Sequence, residues 1–287
     1  MNKILVGIII FITIILFLYL FSIFYYDKMI ESIKFNTLKI HSIALNSNNK
    51  NIDIPLLYIN LNRSPDRNQY ILDQLDTLNI TNYKRVDGID GKKLKSIKEG
   101  EVDGISYKND YNLSLSELGC LLSHIKSISI AYNSNLSYAF IIEDDCYLEL
   151  SVLWKYKLST IINQLNEINK DWGIIKFQFP YKKPSNKLEY RQYTSKDKWM
   201  NATGYIINEK GMKDILEKTN FPNLILGGKN QPTHGQADSF LFDLTNTFIT
   251  NQPYMIPNNL KLESLLHPSH SFWHLYNTYI YLDAFVN

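Results

Sequence analysis

The sequence predicts an α/β fold in which a largely parallel sheet is flanked by helices. Three observations predict it. Strand-like and helix-like segments alternate from residue 54 to residue 219, the pattern of crossovers between parallel strands. Runs such as Tyr138–Ile142 are continuously apolar, β-branched or aromatic, as buried strands are. With 287 residues and a net charge of +2, the chain has ample length for a core.

The balanced charge implies no nucleic-acid partner. The only cysteines, Cys120 and Cys146, make neither a disulfide framework nor a zinc site; both read as small buried residues.

Three segments are expected. Residues 1–26 read as a transmembrane anchor, because Ile4 to Tyr26 carry no charge and the run is long enough for a bilayer. It exceeds the apolar core of a cleaved signal peptide, about 7–15 residues. Lys28, Lys34 and Lys39 favour a cytoplasmic catalytic domain, but Asp27 and Glu31 dilute them and Lys3 lies on the other side. The side of the membrane stays open. Residues 27–53, polar and ending in an Asn-rich stretch, read as a stem or linker. The globular domain then covers 54–287.

Residues 54–61 read as the first strand, with Pro55 at its start. Ser64 and Pro65 then open a helix, whose stripe is Ile71, Leu75 and Leu78. The N–H groups at its start, with Arg63 and Arg67, suit a diphosphate; solvated arginines at an ordinary turn are the plainer reading. Tyr83–Asp87 is a second strand, and Asp87 or Asp90 beyond it could contact a ribose or complete a turn. Residues 92–112 show no period and read as a long loop of lid or acceptor-side type.

Ser114-Leu-Ser-Glu117 is a capping box. Leu118, Leu121, Leu122, Ile125 and Ile128 form the stripe of its helix, with Ser123 and His124 off that stripe. A helix over 153–169, a strand over 172–179, a basic loop over 180–198 and a strand over 201–208 follow. Another helix lies near 209–218. A loop over 221–236 carries His234 and leads into a packed helix with Asp238 in its first turn. A last strand falls near 248–256. In the tail, His267, His270 and His274 are metal-ligand candidates, with packing or surface roles weighing more.

The chemistry concentrates at Glu143, Asp144 and Asp145. Three adjacent carboxylates at a strand end repel one another unless solvated or facing a cation. A hard divalent ion such as Mn²⁺ or Mg²⁺ takes oxygen ligands and leaves positions for substrate phosphates. In an extended chain Glu143 and Asp145 share one face and Asp144 takes the other. A solvated acidic loop is the competing reading.

Five segments together resemble glycosyltransferase family 25, the group of lipooligosaccharide and procollagen galactosyltransferases. They are Tyr58-Ile-Asn-Leu-Asn-Arg-Ser-Pro-Asp-Arg67, Arg85-Val-Asp-Gly-Ile-Asp-Gly91, Ser116-Glu-Leu-Gly-Cys-Leu-Leu-Ser-His124, Ile141-Ile-Glu-Asp-Asp145 and Thr203-Gly-Tyr-Ile-Ile207. The resemblance implies a GT-A-like (Rossmann-like) fold, a UDP-sugar donor, Mn²⁺ (or Mg²⁺) dependence and inversion at the anomeric carbon. It implies donor contacts from Asn60, Arg63, Arg67, Asp87, His124, Glu143 and Asp144, and metal ligation by Glu143 and Asp145. Asp238 matches a later aspartate segment and is the candidate base, with His234 in reserve. Asn62, Ser64 and Cys146 depart from the family's usual residues and leave donor choice open.

The expected function is therefore a membrane-anchored, metal-dependent transfer of a hexose, galactose or glucose, to a glycan or protein-linked acceptor. A catalytically inactive glycan-binding or scaffolding member of the same fold is the alternative. A metal-dependent phosphohydrolase ranks last, because few further Asp/His ligand motifs occur at strand ends.

Overall fold

The computed structural model describes residues 3–47, 51–177, 187–194, 197, 202–229, 231–251, 276, 279 and 282, with side chains of 3–14, 17 and 18 outside that description. In chain order the elements are α1 (Lys3–Leu45), β1 (Leu56–Asn60), α2 (Pro65–Thr77), β2 (Tyr83–Asp87), β3 (Glu99–Val102), β4 (Ile105–Asn109), α3 (Leu115–Asn133) and β5 (Tyr138–Glu143). They continue with α4 (Leu158–Ile168), β6 (Ile174–Phe177), β7 (Tyr190–Gln192), β8 (Gly204–Asn208), α5 (Glu209–Lys218), β9 (Asn223–Leu226), α6 (Ala237–Leu244) and β10 (Thr247–Thr250).

The strands of the main sheet lie in the order β2-β1-β5-β8-β6-β10-β7. β1 pairs parallel with β2 and β5, and β6 pairs parallel with β10. β8 runs antiparallel to both of its neighbours, and β7 is antiparallel to β10. Most strands thus share one direction, as expected, with one reversed strand in the middle. Between Phe177 and Gly204 the described residues hold only the edge strand β7.

Alternation along the central strands sorts the core into two layers. Leu56, Tyr58, Phe140, Ile142, Ile175 and Ile206 face one layer with α1, α2 and α4; the α4 residues are Leu158, Ile161, Ile162 and Leu165. Leu57, Ile59, Ala139, Ile141, Ile174, Tyr205 and Ile207 face the other, against α3, α5 and α6. Helices on both sides explain why these strands read as unbroken apolar runs. This is a Rossmann-like α/β arrangement.

Two expectations change. Residues 92–112 are not a bare loop: β3 and β4 form a hairpin, and β9 adds to it in parallel. Its turn is Asp103-Gly104, both at positive φ (51° and 75°), the two-residue type that Asp-Gly favours. Residues 27–45 are not an open linker, because α1 continues through them. Met29, Ile33, Asn36, Ile40 and Ala44 recur every three or four residues and are buried, a helical stripe packed into the first core layer. The lysines and glutamate that made this segment look polar lie on the other faces. The helix is also held by polar contacts: His41 Nδ1 lies 2.8 Å from Glu149 Oε1, and the Tyr147 hydroxyl donates to the Thr37 carbonyl at 3.3 Å.

Among the described residues, no helix is long and apolar enough to cross a membrane. The apolar run of residues 4–26 lies largely outside the described side chains. The tail histidines and most of the basic loop over 180–198 also lie outside the described residues.

Docking of α1 sets the cost of disturbing it. Ile33→Ala and Ile40→Ala are each expected to lower unfolding free energy by about 2–5 kcal/mol, as buried large-to-small changes do. Exposed Lys34→Ala should change it by less than about 0.5 kcal/mol. Chemical denaturation of the three variants measures the difference.

Candidate functional site

The carboxyl ends of β1 and β5 lie side by side, and the chain leaves both into turns. A cavity of about 140 Å³ opens there, lined by Arg63, Arg67, Asp90, Cys120, His124, Glu143, Asp144 and Asp145 among others. Here α2 packs on one face and α3 on the other.

Asn60, the last residue of β1, is buried and organises one wall. Its Nδ2 donates to Asp144 Oδ2 at 2.7 Å and to the Ser64 carbonyl at 3.1 Å. Its Oδ1 accepts from Arg85 Nε and Nη2 at 3.0 and 2.8 Å. Asp144 is completed by Arg67, which donates from Nη1 to Oδ1 at 2.7 Å and stands 3.6 Å from Asp145 Oδ2. Ser64 makes no side-chain cap at the start of α2. Its role is the carbonyl that Asn60 grips. Arg63 donates to Asp90 at 2.8 Å across the mouth.

α3 forms the other wall. Its capping box is present in full, with Ser114 Oγ accepting from the Glu117 N–H and Glu117 accepting from the Ser114 N–H. Gly119 allows α3 to approach a turn closely: an added Cβ would stand 2.7 Å from both the Gly91 nitrogen and the Ile89 oxygen. Ser123 and His124, off the apolar stripe, are buried all the same. Ser123 accepts from the Ile89 N–H at 2.7 Å. His124 Nε2 faces Glu143 Oε1 at 3.3 Å, and its Nδ1 faces the Tyr205 hydroxyl at 3.2 Å.

The three acids differ in environment. Burial raises the Asp145 carboxyl to about 7, with Glu143 adding to the effect and Arg67 opposing it. One of its oxygens, Oδ1, is buried with no hydrogen-bond partner. Burial also raises Asp144, against the pull of Arg67 and Asn60. Glu143 stays below its ordinary value: burial pushes it up, but His124 and Arg67 outweigh that. A carboxylate held ionised beside one with an unsatisfied buried oxygen is a donor set that suits a hard cation.

Asp238, in the first turn of α6, lies within electrostatic reach of Glu143 and His124, although it does not line the cavity. Burial raises its carboxyl and Lys176 partly restores it. Lys176, on β6, was not singled out in the sequence. It is fully buried, with Nζ 3.9 Å from the centre of the Phe242 ring and 3.4 Å from the Asp238 carbonyl oxygen. Burial brings its ammonium down to about 7, with Asp238 opposing. A lysine inside Ile174-Ile-Lys-Phe177 is itself the signal that could have found it. Asp87 is paired with Arg85 at 2.7 Å and is half exposed; it does not line the cavity, whereas Asp90 does. His234 is exposed on the loop before α6 and also lies outside the lining.

The model of glycosyltransferase family 25 (LPS biosynthesis protein) matches residues 53–225, which contain every residue that lines the cavity. The chain is 30% identical over 169 residues to procollagen galactosyltransferase 1-A of Xenopus laevis, covering 55% of this chain and 27% of that protein. It is 28% identical to procollagen galactosyltransferase 1-B of the same organism over the same shares. To procollagen galactosyltransferase 2 of Homo sapiens it is 25% identical over 180 residues, 59% of this chain and 28% of that protein. The chain thus matches about a quarter of the length of these relatives.

The raised Asp145 carboxyl sets a pH dependence. The folded protein holds this proton more tightly than the unfolded chain, whose value is near 3.8. Its contribution to stability is complete below that value and is lost as pH rises to about 7. In chelator-treated protein, Asp145→Asn should therefore gain stability relative to wild type as pH rises from 4 to 7. The expected difference grows by at most about 1.4 kcal/mol per pH unit, the limit for one proton. Denaturant unfolding across pH measures it, and a difference independent of pH would contradict the assignment.

Proposed function

Because the chain belongs to glycosyltransferase family 25, we propose that it transfers a hexose from a UDP-sugar to a glycan or protein-linked acceptor, with inversion. Galactose is favoured as the sugar by the names of its relatives. The observation that carries this reading is the buried, unpartnered Asp145 oxygen beside ionised Glu143 at a cavity wall.

Glu143 and Asp145 would hold Mn²⁺ or Mg²⁺, which when bound neutralises the leaving diphosphate. The protein's own residues do the rest. Asn60 and Arg67 fix the Asp144 carboxylate, so the acidic turn is pre-set before substrate arrives. Arg63, one-third exposed at the mouth, faces the donor phosphates together with the start of α2, which no side chain caps. Asp90 takes the ribose-side position considered for Asp87, because it lines the cavity. His124 and Tyr205 hold the Glu143 carboxylate in place.

Inversion needs one base on the acceptor side. Asp238 takes the acceptor hydroxyl proton onto its carboxylate. Burial raises its proton affinity and so makes it a stronger base, while Lys176 keeps enough of it ionised. His234 is the weaker candidate, being exposed. Anchoring in a membrane through residues 4–26 is supported by the absence of charge there.

The test is thermal unfolding with a panel of nucleotide sugars, with and without Mn²⁺. One UDP-sugar should raise the melting temperature only with Mn²⁺, since a ligand of the folded state stabilises it by mass action. No shift with any donor, in well-folded protein, would favour a non-catalytic glycan binder. With the donor in hand, Asp238→Asn should lower kcat by about 10²–10⁴-fold while the donor-induced shift survives.

A further inference from the structure

We propose that Cys120, His124 and Glu143 form a second cation site on the cavity wall, one suited to a soft divalent ion, with Zn²⁺ as the fit. Cys120 Sγ, a His124 ring nitrogen and a Glu143 carboxylate oxygen all lie within 4.8 Å of one another. Cys120 and His124 are four residues apart on α3 and so share one face of the helix; β5 delivers Glu143 opposite them.

Two of the three spacings match the edges of a tetrahedron. Zinc bonds of about 2.3 Å to sulfur and about 2.0–2.2 Å to nitrogen and oxygen give ligand-to-ligand edges of roughly 3.6 Å for S···O and roughly 3.4 Å for N···O. The observed separations are 3.7 Å from Sγ to Glu143 Oε1 and 3.3 Å from His124 Nε2 to the same oxygen. Small shifts would seat the ion. The second ring nitrogen of His124 already meets the Tyr205 hydroxyl at 3.2 Å, an outer contact of the kind that orients a ligating imidazole. All three residues line the cavity, so a fourth position is left for water, as in open zinc sites. Binding displaces the Cys120 thiol proton to solvent and leaves a thiolate on the metal.

The donor chemistry separates this site from the all-carboxylate one. Thiolate and imidazole select zinc, whereas carboxylates suit manganese and magnesium. The two sites share Glu143, so a zinc ion here would draw that carboxylate away from the hard cation. Zinc is then an inhibitor of transfer. Only this inhibition rests on the proposed function; the site itself does not.

The experiment is a cobalt titration of the chelator-treated, reduced full chain, read by near-ultraviolet thiolate-to-cobalt absorption and followed by displacement with Zn²⁺. One equivalent should produce the band, and one of Zn²⁺ should abolish it. Cys120→Ser should remove the band and weaken zinc at least about 100-fold, the upper end of what losing an outer contact costs. Cys146→Ser, which alters the other free thiol, should retain the band. Absorption at the zinc edge of the wild-type protein should show one sulfur neighbour, so the proposal stays testable if Cys120→Ser fails to fold. Absence of a band, a band that survives Cys120→Ser, or zinc with only nitrogen and oxygen neighbours would leave the three residues as a hydrogen-bonded group and overturn the site.

Discussion

The cavity depends on one buried amide. Asn60 offers two N–H donors and two carbonyl lone pairs, and all four are used. They bind Asp144, the Ser64 carbonyl and two nitrogens of Arg85. Each partner comes from a different segment: the turn after β5, the entry to α2, and β2. An amide with a full complement of partners in a dry setting holds each of them at a fixed distance, and leaving any one unmade is costly. The turn carrying three carboxylates is therefore anchored from outside itself. Without that anchor, like-charge repulsion would spread the turn into solvent.

The acids share a small space yet are kept in different states. Asp144 has its negative charge committed to Asn60 and Arg67. Glu143 is held ionised by His124 and Arg67. Asp145 bears what remains: burial, the neighbouring charges and an oxygen with no partner. A second buried pair, Lys176 and Asp238, is supplied by β6 and α6. Groups whose proton affinities are driven apart by their surroundings collect where chemistry is done.

Much of this was legible in the sequence, and the failures have physical causes. The apolar run into Glu143-Asp-Asp145 predicts a buried strand ending in acids, and β5 ends there. The capping box at Ser114 marks the start of α3, and Asn208 caps α5 close to where a helix was expected. The hairpin of β3 and β4 was missed because Glu99-Gly-Glu-Val102 has no apolar face; Asp103-Gly104 was the available turn signal. The docked half of α1 is hidden in the sequence because the charges opposite it mask a narrow stripe. His124 lies off the apolar stripe and is buried all the same, because α3 is enclosed on more than one side. Cysteine spacing carries no sign of the cluster of Cys120, His124 and Glu143, since its other members are brought together by the fold. The partnership of Asn60 with Asp144, far apart in sequence, is legible only in three dimensions.

Helix α1 is one continuous element from Lys3 to Leu45, and its second half is welded to the core by Met29, Ile33 and Ile40. At about 1.5 Å per residue it is a rod longer than the domain's sheet is wide. A domain on a slack tether swings and turns independently of its attachment. Here rotation of the rod about its own axis is rotation of the crevice, and tilt of one is tilt of the other. Whatever grips the first half of α1 thereby sets a compass bearing for the mouth.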